Sequence, residues 1–418
     1  MDAKSNDLSC SINDLPYELI SYIFYLARLN DPYRLGVPVE LASVCSHWRR
    51  TALNTPRLWS AQEFPFSETN TLEIPLNRLF LERSAPLPVR VRLVGVNNAF
   101  ATLLLHTPQR WKSLMLFPGA ADAKSFCAFL ASIPPHNLES LESVTVQYLE
   151  MTAEQYSDVS FVSHLPPIPW AQLTRLSLTH VSAQDCIDLL GRSERLVSAE
   201  FYAREWSESW SEIESQRTFV LEHMDKLVIY LWIFPESQGF NSLLCSFTFP
   251  ALKTLSLAYF FEENDFERCI VADIIPFLIR TPTLECLRLA NHVSSDEIQR
   301  ILRYAPGLTE LQSRLGGGNE ELDNLFQALC YEPGTSAPPL APQLKVLRLW
   351  HIGSHVDEKI LAKMIRSRWW SDGELDELPR PLCVARWKRI ELEHTFAHSF
   401  SREFESEMDI YRSQGLVM

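Results

Sequence analysis

Two histidine pairs at i, i+4 spacing are candidate ligands for a metal ion. His351 and His355 form one such pair, and His394 and His398 form another. Two histidines on one face of a helix supply two ligands of a zinc site, which needs at least one more ligand. The chain has no His-Glu-x-x-His sequence and no evident third ligand. We therefore predict no metal site.

The other motifs that serve catalysis are also missing from the sequence. Gly316-Gly317-Gly318 precedes Asn-Glu-Glu rather than Gly-Lys-Ser, and the chain has no Gly-x-Ser-x-Gly. The acidic residues cluster in runs that are typical of solvated loops rather than of a catalytic carboxylate pair. No cysteine lies in a motif for a thiolate nucleophile. We expect no enzymatic activity and no cofactor.

Composition disfavours several classes of partner and compartment. The 418 residues include 38 Lys and Arg against 52 Asp and Glu, a net charge of −14, which disfavours nucleic-acid binding. The longest apolar run, Leu227–Phe234, is too short to cross a bilayer, and the polar N-terminus does not resemble a signal peptide. The nine scattered cysteines and the lack of an N-glycosylation acceptor fit a reducing compartment. The predicted location is the cytoplasm, the nucleus or both, without membrane contact.

The spacing of apolar residues and prolines over residues 14–62 predicts a small helical module. A first helix is expected to begin at Pro16, because a proline suits the first helical turn, and apolar residues then recur at helical spacing. A second helix is predicted over Glu40–Thr55, with Pro56 ending it. About fifty residues cannot enclose so many large apolar side chains alone. The module is therefore expected to contact a partner protein or a neighbouring part of the chain.

Short motifs in this module occur in a fixed order. They are Leu15-Pro16-x-Glu18-Leu19-Ile20, Ile23-Phe24, Val44-Cys45-x-x-Trp48-Arg49 and Thr55-Pro56-Arg57-Leu58-Trp59. The module resembles the F-box-like domain of proteins from mushroom-forming fungi, which carries a variable loop between its first helices, here Asn30–Pro38. The resemblance implies docking to the adaptor subunit of an SCF-type cullin–RING ubiquitin ligase. It implies a docking and packing set of Leu15, Pro16, Leu19, Ile20, Phe24, Leu41, Val44 and Trp48, within which sequence does not separate docking residues from core residues.

A repeated Leu-x-x-Leu-x-Leu phrase runs through the rest of the chain. Ten copies, several of them degenerate, begin at Trp111, Leu141, Leu173, Leu196, Met224, Leu252, Leu284, Leu308, Leu344 and Trp387. The last two apolar positions alternate as in a strand, and helical runs such as Ile274–Ile279 lie between copies. Stacked units of this kind share one core, so we predict an α/β fold, an irregular leucine-rich-repeat solenoid with a curved parallel sheet and helices outside. An ordinary α/β domain with leucine-rich parallel strands is the alternative.

The predicted organisation has four parts. Residues 1–13 are expected to be disordered, 14–62 to form the F-box-like module, 63–88 to form a helical connector, and 89–418 to form the solenoid. Within the connector a helix is predicted over residues 72–86. F-box-like proteins of these fungi commonly continue into degenerate leucine-rich repeats, so the resemblance extends over nearly the whole chain.

Basic and aromatic residues occupy the positions beside the inward leucines of the repeats. These positions hold Arg175, Lys226, Arg288, Arg348 and Arg389, with Tyr230, Trp232 and Trp350 just after them. Arginine pairs well with carboxylate or phosphate, so this face is a candidate site for an acidic or phosphorylated client segment. Insertions are further candidates: Arg204–Arg217 with its two tryptophans, the Gly- and Pro-bearing excursion Gly316–Gln343, and the stretch Trp369–Glu377. Alternatively, the charges only solvate an exposed sheet, and each tryptophan packs under its own loop.

The sequence and the resemblance together predict a substrate receptor. The F-box-like module would dock to the ligase adaptor and through it to the cullin, while the solenoid would hold a client protein of unknown identity. Such a subunit raises the effective concentration of the client lysine near the ubiquitin-loaded enzyme and needs no catalytic residue of its own. The alternative is a protein-interaction scaffold without a ubiquitin role, whose N-terminal helices dock elsewhere or cap the solenoid.

Overall fold

The structure of the protein is a computed structural model. It describes residues 12–30, 36–60, 63–67, 73–94, 104–118, 123–147, 168–204, 219–233, 244, 246–261, 271–315, 319–333, 338–352, 356–370, 383–394 and 400–418. The chain forms two compact units, Met1–Leu173 and Thr174–Met418.

Four helices begin the first unit. They are α1 (Tyr17–Asn30), α2 (Val37–Val44), α3 (Ser46–Leu53) and α4 (Pro56–Ser60), preceded by a 3-10 turn at Ile12–Asp14. The prediction of one helix over Glu40–Thr55 is wrong, because Cys45 is extended, with φ −156° and ψ 172°. The Cys45 Sγ accepts a hydrogen bond from the Trp48 N–H at 3.4 Å, which caps α3 and separates it from α2. Helix α3 ends at Leu53, and Pro56 begins α4.

Aromatic side chains hold these helices together. The rings of Phe24 and Trp48 lie 5.0 Å apart between α1 and α3. The Trp59 Nε1 donates a hydrogen bond to the Ala52 carbonyl at 2.8 Å, so the buried indole has its polar group satisfied. Trp59 also packs edge-on against Phe80, at 5.2 Å, and thereby joins α4 to the following helix.

A four-stranded parallel sheet completes the first unit. Its strands, in spatial and chain order, are β1 (Glu63–Ser67), β2 (Val89–Val94), β3 (Trp111–Phe117) and β4 (Ser143–Val146), with α5 (Glu73–Arg83) and α6 (Ala123–Ala131) between them. Val89, Val91 and Leu93 are buried, as their alternation predicts. Strand β1 was not predicted within the helical connector 63–88. Its central Pro65 argues against a strand, but β1 lies at the edge of this unit's sheet, where a proline is tolerated.

The second unit contains an eight-stranded parallel sheet. Its strands are β5 (Arg175–Ser182), β6 (Ser198–Arg204), β8 (Lys226–Ile233), β10 (Thr254–Phe261), β11 (Cys286–Val293), β12 (Glu310–Leu315), β13 (Val346–Ile352) and β14 (Arg389–His394), again in chain order. A separate parallel pair joins β7 (Phe219–Val220) to β9 (Phe247–Thr248). The second leucines of successive repeats are register partners: Leu255, Leu287, Leu311, Leu347 and Ile390 form one buried row. All ten copies of the repeated phrase thus lie on parallel strands of the two units.

Helices connect several of these strands. They are α7 (Ala183–Arg192), α8 (Val271–Arg280), α9 (Ser295–Tyr304), α10 (Asn319–Leu329) and α11 (Glu358–Ser367), followed by α12 (Arg402–Ser413) near the C-terminus. Helices α8 to α11 contact one another in chain order, so they stack in step with the strands. Capping boxes at Ser182 and Ser294 fix the starts of α7 and α9. The predicted α/β class with a long parallel sheet is confirmed, and α10 lies inside the excursion Gly316–Gln343, which was predicted as a loop.

Several predicted features lie outside the described residues. They are residues 1–11 of the predicted disordered segment, residues 31–35 of the variable loop, His355, His398, Gly316–Gly318, the segment with Trp206 and Trp210, the acidic run 372–377 and the side chain of Trp232.

Candidate functional site

Helix α1 has one buried face and one exposed apolar face. Ile20, Phe24 and Arg28 point into the first unit and are at most 1% exposed. A stripe at i, i+3, i+4 and i+7 spacing is instead between 38% and 58% exposed, and consists of Leu19, Tyr22, Ile23, Leu26 and Leu29. Five large apolar side chains on one helix face in water are unusual for a surface that has no partner.

Helix α2, which contacts α1, adds two more exposed apolar side chains. Val39 is 41% exposed and Val44 is 60% exposed. We call these two and the five of α1 the N-terminal apolar face. Among the described residues, nine of the sixteen exposed large apolar side chains lie within residues 12–44. Exposed apolar area is thus concentrated in the two helices that open the chain.

The structure divides the predicted adaptor-binding set into three groups. Exposed members are Pro16, Leu19 and Val44, half-buried members are Leu15, Leu41 and Trp48, and buried members are Ile20 and Phe24. A buried side chain supports the module from within, so Ile20 and Phe24 serve packing. The predicted set left out five members of the N-terminal apolar face, namely Tyr22, Ile23, Leu26, Leu29 and Val39, although the helical spacing from Leu19 onward was a signal for the four on α1.

The second candidate surface is the sheet face of the second unit that lies opposite the leucine core, which we call the polar sheet face. All seven side chains of the predicted client-binding set lie on it: Arg175, Lys226, Tyr230, Arg288, Arg348, Trp350 and Arg389. They are exposed or half-buried, while their neighbours within the strands are buried, except His351, which follows Trp350 and is exposed. This alternation is the expected pattern for a sheet with one face in the core.

Three of the predicted arginines form ion pairs on this face. The Glu310 Oε1 lies 3.3 Å from the Arg288 Nη2 and 3.1 Å from the Arg348 Nη1. The Glu391 carboxylate lies 2.9 Å from the Arg348 Nε and 3.4 Å from the Arg389 Nη1. The surface at β11–β14 is therefore a mixed Arg–Glu row rather than the cationic stripe that the sequence suggested. Glu310 directly precedes Leu311 and Glu391 directly follows Ile390, so both glutamates occupy positions beside the inward residues of their repeats, and the sequence held this signal.

We expect Glu310→Gln to lower the free energy of local unfolding of β12 and β13 by about 1 kcal/mol at low salt, because Glu310 holds two partly buried arginines. The loss shrinks at high salt, since screening weakens the pairs in the wild type. Hydrogen exchange of peptides covering these strands measures the change. The matched control is E82Q, because Glu82 pairs with Arg78 at 3.1 Å on an exposed helix face, where we expect almost no effect. A loss that is equal in both variants and independent of salt contradicts this assignment.

The other end of the polar sheet face carries exposed cations and stacked rings. Arg175 and Lys226 are exposed, and neither forms an ion pair within the described part of the chain. The rings of Tyr202 and Tyr230 stack with centroids 4.2 Å apart and an interplanar angle of 14°. Burial, with Tyr230 and Glu200 nearby, raises the pKa of Tyr202 well above its ordinary value, so its hydroxyl stays neutral.

A cavity of about 980 Å³ lies in the second unit beside the ends of α9 and α10. Its lining includes Arg303, Tyr331, Cys330, Leu340 and Cys383. Burial raises the pKa of the Cys330 thiol, which disfavours the thiolate that a nucleophile needs.

Two further kinds of feature are absent from the described residues. No three His, Cys, Asp or Glu side chains among them lie together as a potential metal site. None of the helices in the same residues has the length and apolar character that a membrane span requires.

No protein-family model matches the chain, and no curated protein matches its sequence.

Proposed function

We propose that the protein is a substrate-receptor subunit of an SCF-type ubiquitin ligase. The observation that carries the proposal is the N-terminal apolar face. The helices that resemble an F-box bury Ile20 and Phe24 but leave Leu19, Ile23 and Val44 in solvent. Docking to the ligase adaptor would remove this apolar area from water, and apolar burial drives most protein association.

The parallel strands of the second unit support the other half of the proposal. Successive leucine rows in register, with helices stacked beside them, are what a leucine-rich-repeat solenoid requires. We propose that this part holds the client protein through the polar sheet face. The receptor then acts by tethering, because a client bound near the ubiquitin-loaded enzyme reacts at a higher effective concentration.

A binding measurement with the purified adaptor tests this function. The intact protein should bind the adaptor subunit in isothermal titration calorimetry, with a negative heat-capacity change, because apolar surface is buried. Absence of binding by the intact, folded protein overturns the proposal.

The second candidate function is a protein-interaction scaffold with no role in ubiquitin transfer. The same apolar face and the same polar sheet face would then serve two partners other than a ligase. Adaptor binding distinguishes the two functions, since only the receptor requires it.

A further inference from the structure

The five cations of the predicted client-binding set fall into two groups. Arg288, Arg348 and Arg389 already pair with glutamates of the same face, whereas Arg175 and Lys226 are exposed and form no ion pair in the described residues. An anion that binds a paired arginine must first displace its glutamate. Unpaired exposed cations carry no such cost, so among these five the positive charge most available to a ligand lies on β5 and β8.

The register of the strands sets the distance between these two cations. Arg175 is the partner of Ser198 on β6, and Ser198 is the partner of Lys226 on β8. Neighbouring strands lie about 4.8 Å apart, so the backbones at Arg175 and Lys226 are about 10 Å apart, with Ser198 between them. A peptide in the polyproline II conformation rises about 3.1 Å per residue with three residues per turn, so two side chains three residues apart lie on one face and span nearly the same distance. Two separate carboxylates therefore match the two cations.

A flat aromatic surface lies further along the same strands. Tyr202 and Tyr230 follow Ser198 and Lys226 on the same face, and their rings are stacked. Such a surface accepts an apolar or aromatic side chain. The Glu200 carboxylate lies between the cations and the tyrosines along β6, and it repels a second acidic group there. The charge pattern thus favours acidic residues over Arg175 and Lys226 and an apolar residue over the rings.

We propose that Arg175, Ser198, Lys226 and the Tyr202–Tyr230 stack bind a linear acidic segment of the client protein. The segment carries two carboxylates three residues apart and a flat apolar side chain beside them. Arg175 takes one carboxylate in a forked pair, and Lys226 takes the other. This inference deepens the proposed function, on which it rests for the identity of the occupant as a client. The binding itself does not involve the adaptor.

Selection from a library of short random displayed peptides, with the intact folded protein as bait, tests the surface. The wild type should enrich peptides with two acidic residues three apart and an adjacent aromatic or aliphatic residue. A labelled consensus peptide then gives affinities by fluorescence anisotropy. We expect R175Q/K226Q to lower its affinity at least tenfold, a loss that shrinks at high salt.

The matched control is R288Q/R389Q. It also removes two positive charges from this sheet face, but these charges belong to arginines that already have glutamate partners. We expect it to change the affinity less than about threefold. Equal losses in both variants, no enrichment of acidic peptides, or no enriched peptide at all would overturn the inference. If the peptide binds as expected and the adaptor does not bind, the ubiquitin role fails while this surface stands.

Discussion

Changing Leu19 and Val44 together to Asp should abolish adaptor binding without unfolding the protein. Both side chains lie on the N-terminal apolar face, 50% and 60% exposed, so the free protein tolerates a charge there. In the complex each carboxylate would be buried against apolar groups without a partner, which is costly. Loss of two central apolar contacts alone costs about 2 kcal/mol or more each, so we expect affinity to fall more than about 100-fold. Isothermal titration calorimetry with the purified adaptor measures the loss.

The control for this prediction is I279D. Ile279 lies on α8 of the second unit and is 60% exposed, the same fraction as Val44. This variant places the same new carboxylate at a position as exposed as Val44. Because Ile279 lies outside the N-terminal apolar face, the affinity for the adaptor should not change. Far-UV circular dichroism checks that both variants are folded. Wild-type affinity in L19D/V44D would exclude this face as the docking site.

The strands were predictable from sequence because their signal is local. A strand with an apolar residue at every second position is defined by neighbouring residues alone. Leu255 and Leu257 show this alternation, and Leu252 comes just before them in the same repeat. Each of these three is at most 1% exposed, and the strand forms where the pattern placed it. The helix α9 was predictable for the same reason, since Ile298, Ile301 and Leu302 recur at helical spacing.

The pairing on the polar sheet face depends on contacts that a single repeat does not contain. Arg348 and Glu310 are 38 residues apart and meet only because β12 and β13 are neighbours in register. The sequence shows which residues point away from the core, but the partner of each depends on the register between strands. A related limit applies at His351, whose φ of 56° accompanies a shift of register in β13. A histidine in the left-handed region has no signal in the sequence.

The division of α1 into two faces also needed the tertiary structure. Both faces of the helix are apolar, so spacing alone did not show which one packs against α2, α3 and α4. The choice follows from the Phe24–Trp48 contact, which turns Ile20 inward and Leu19 outward. Docking residues and core residues therefore became separable only once the helices were packed.

Arg368 joins three segments of the second unit from a fully buried position. Its guanidinium donates to the carbonyl of Leu329 at 3.1 Å, of Leu340 at 2.5 Å and of Ala341 at 2.9 Å. Its Cζ lies 5.2 Å from the ring centroid of Trp387. Burial lowers the pKa of Arg368 to about 10, which still leaves the group protonated at neutral pH. The side chain thus ties the end of α10 to the segment before β13.

We expect R368M to be the most destabilising change in this part of the protein. Methionine keeps much of the aliphatic stem, but three buried carbonyls lose their donors, and loss of such a buried charged group costs about 3–5 kcal/mol. Ala341 adds to the loss, because its φ of 45° is strained and the Arg368 hydrogen bond helps to hold it. Native-state hydrogen exchange of peptides from α10 and β13 measures the free energy of opening for this region alone, which suits a chain of two units.

The neighbouring Arg366 provides the control for this prediction. Its side chain is 64% exposed and pairs with Glu407 on α12, so R366M should cost less than about 1 kcal/mol. Each variant removes one positive charge, and the two positions are only two residues apart. Only R368M also removes the hydrogen-bond donors of three buried backbone carbonyls. Equal protection losses in R366M and R368M would mean that charge, rather than the three carbonyl contacts, stabilises this end of the sheet.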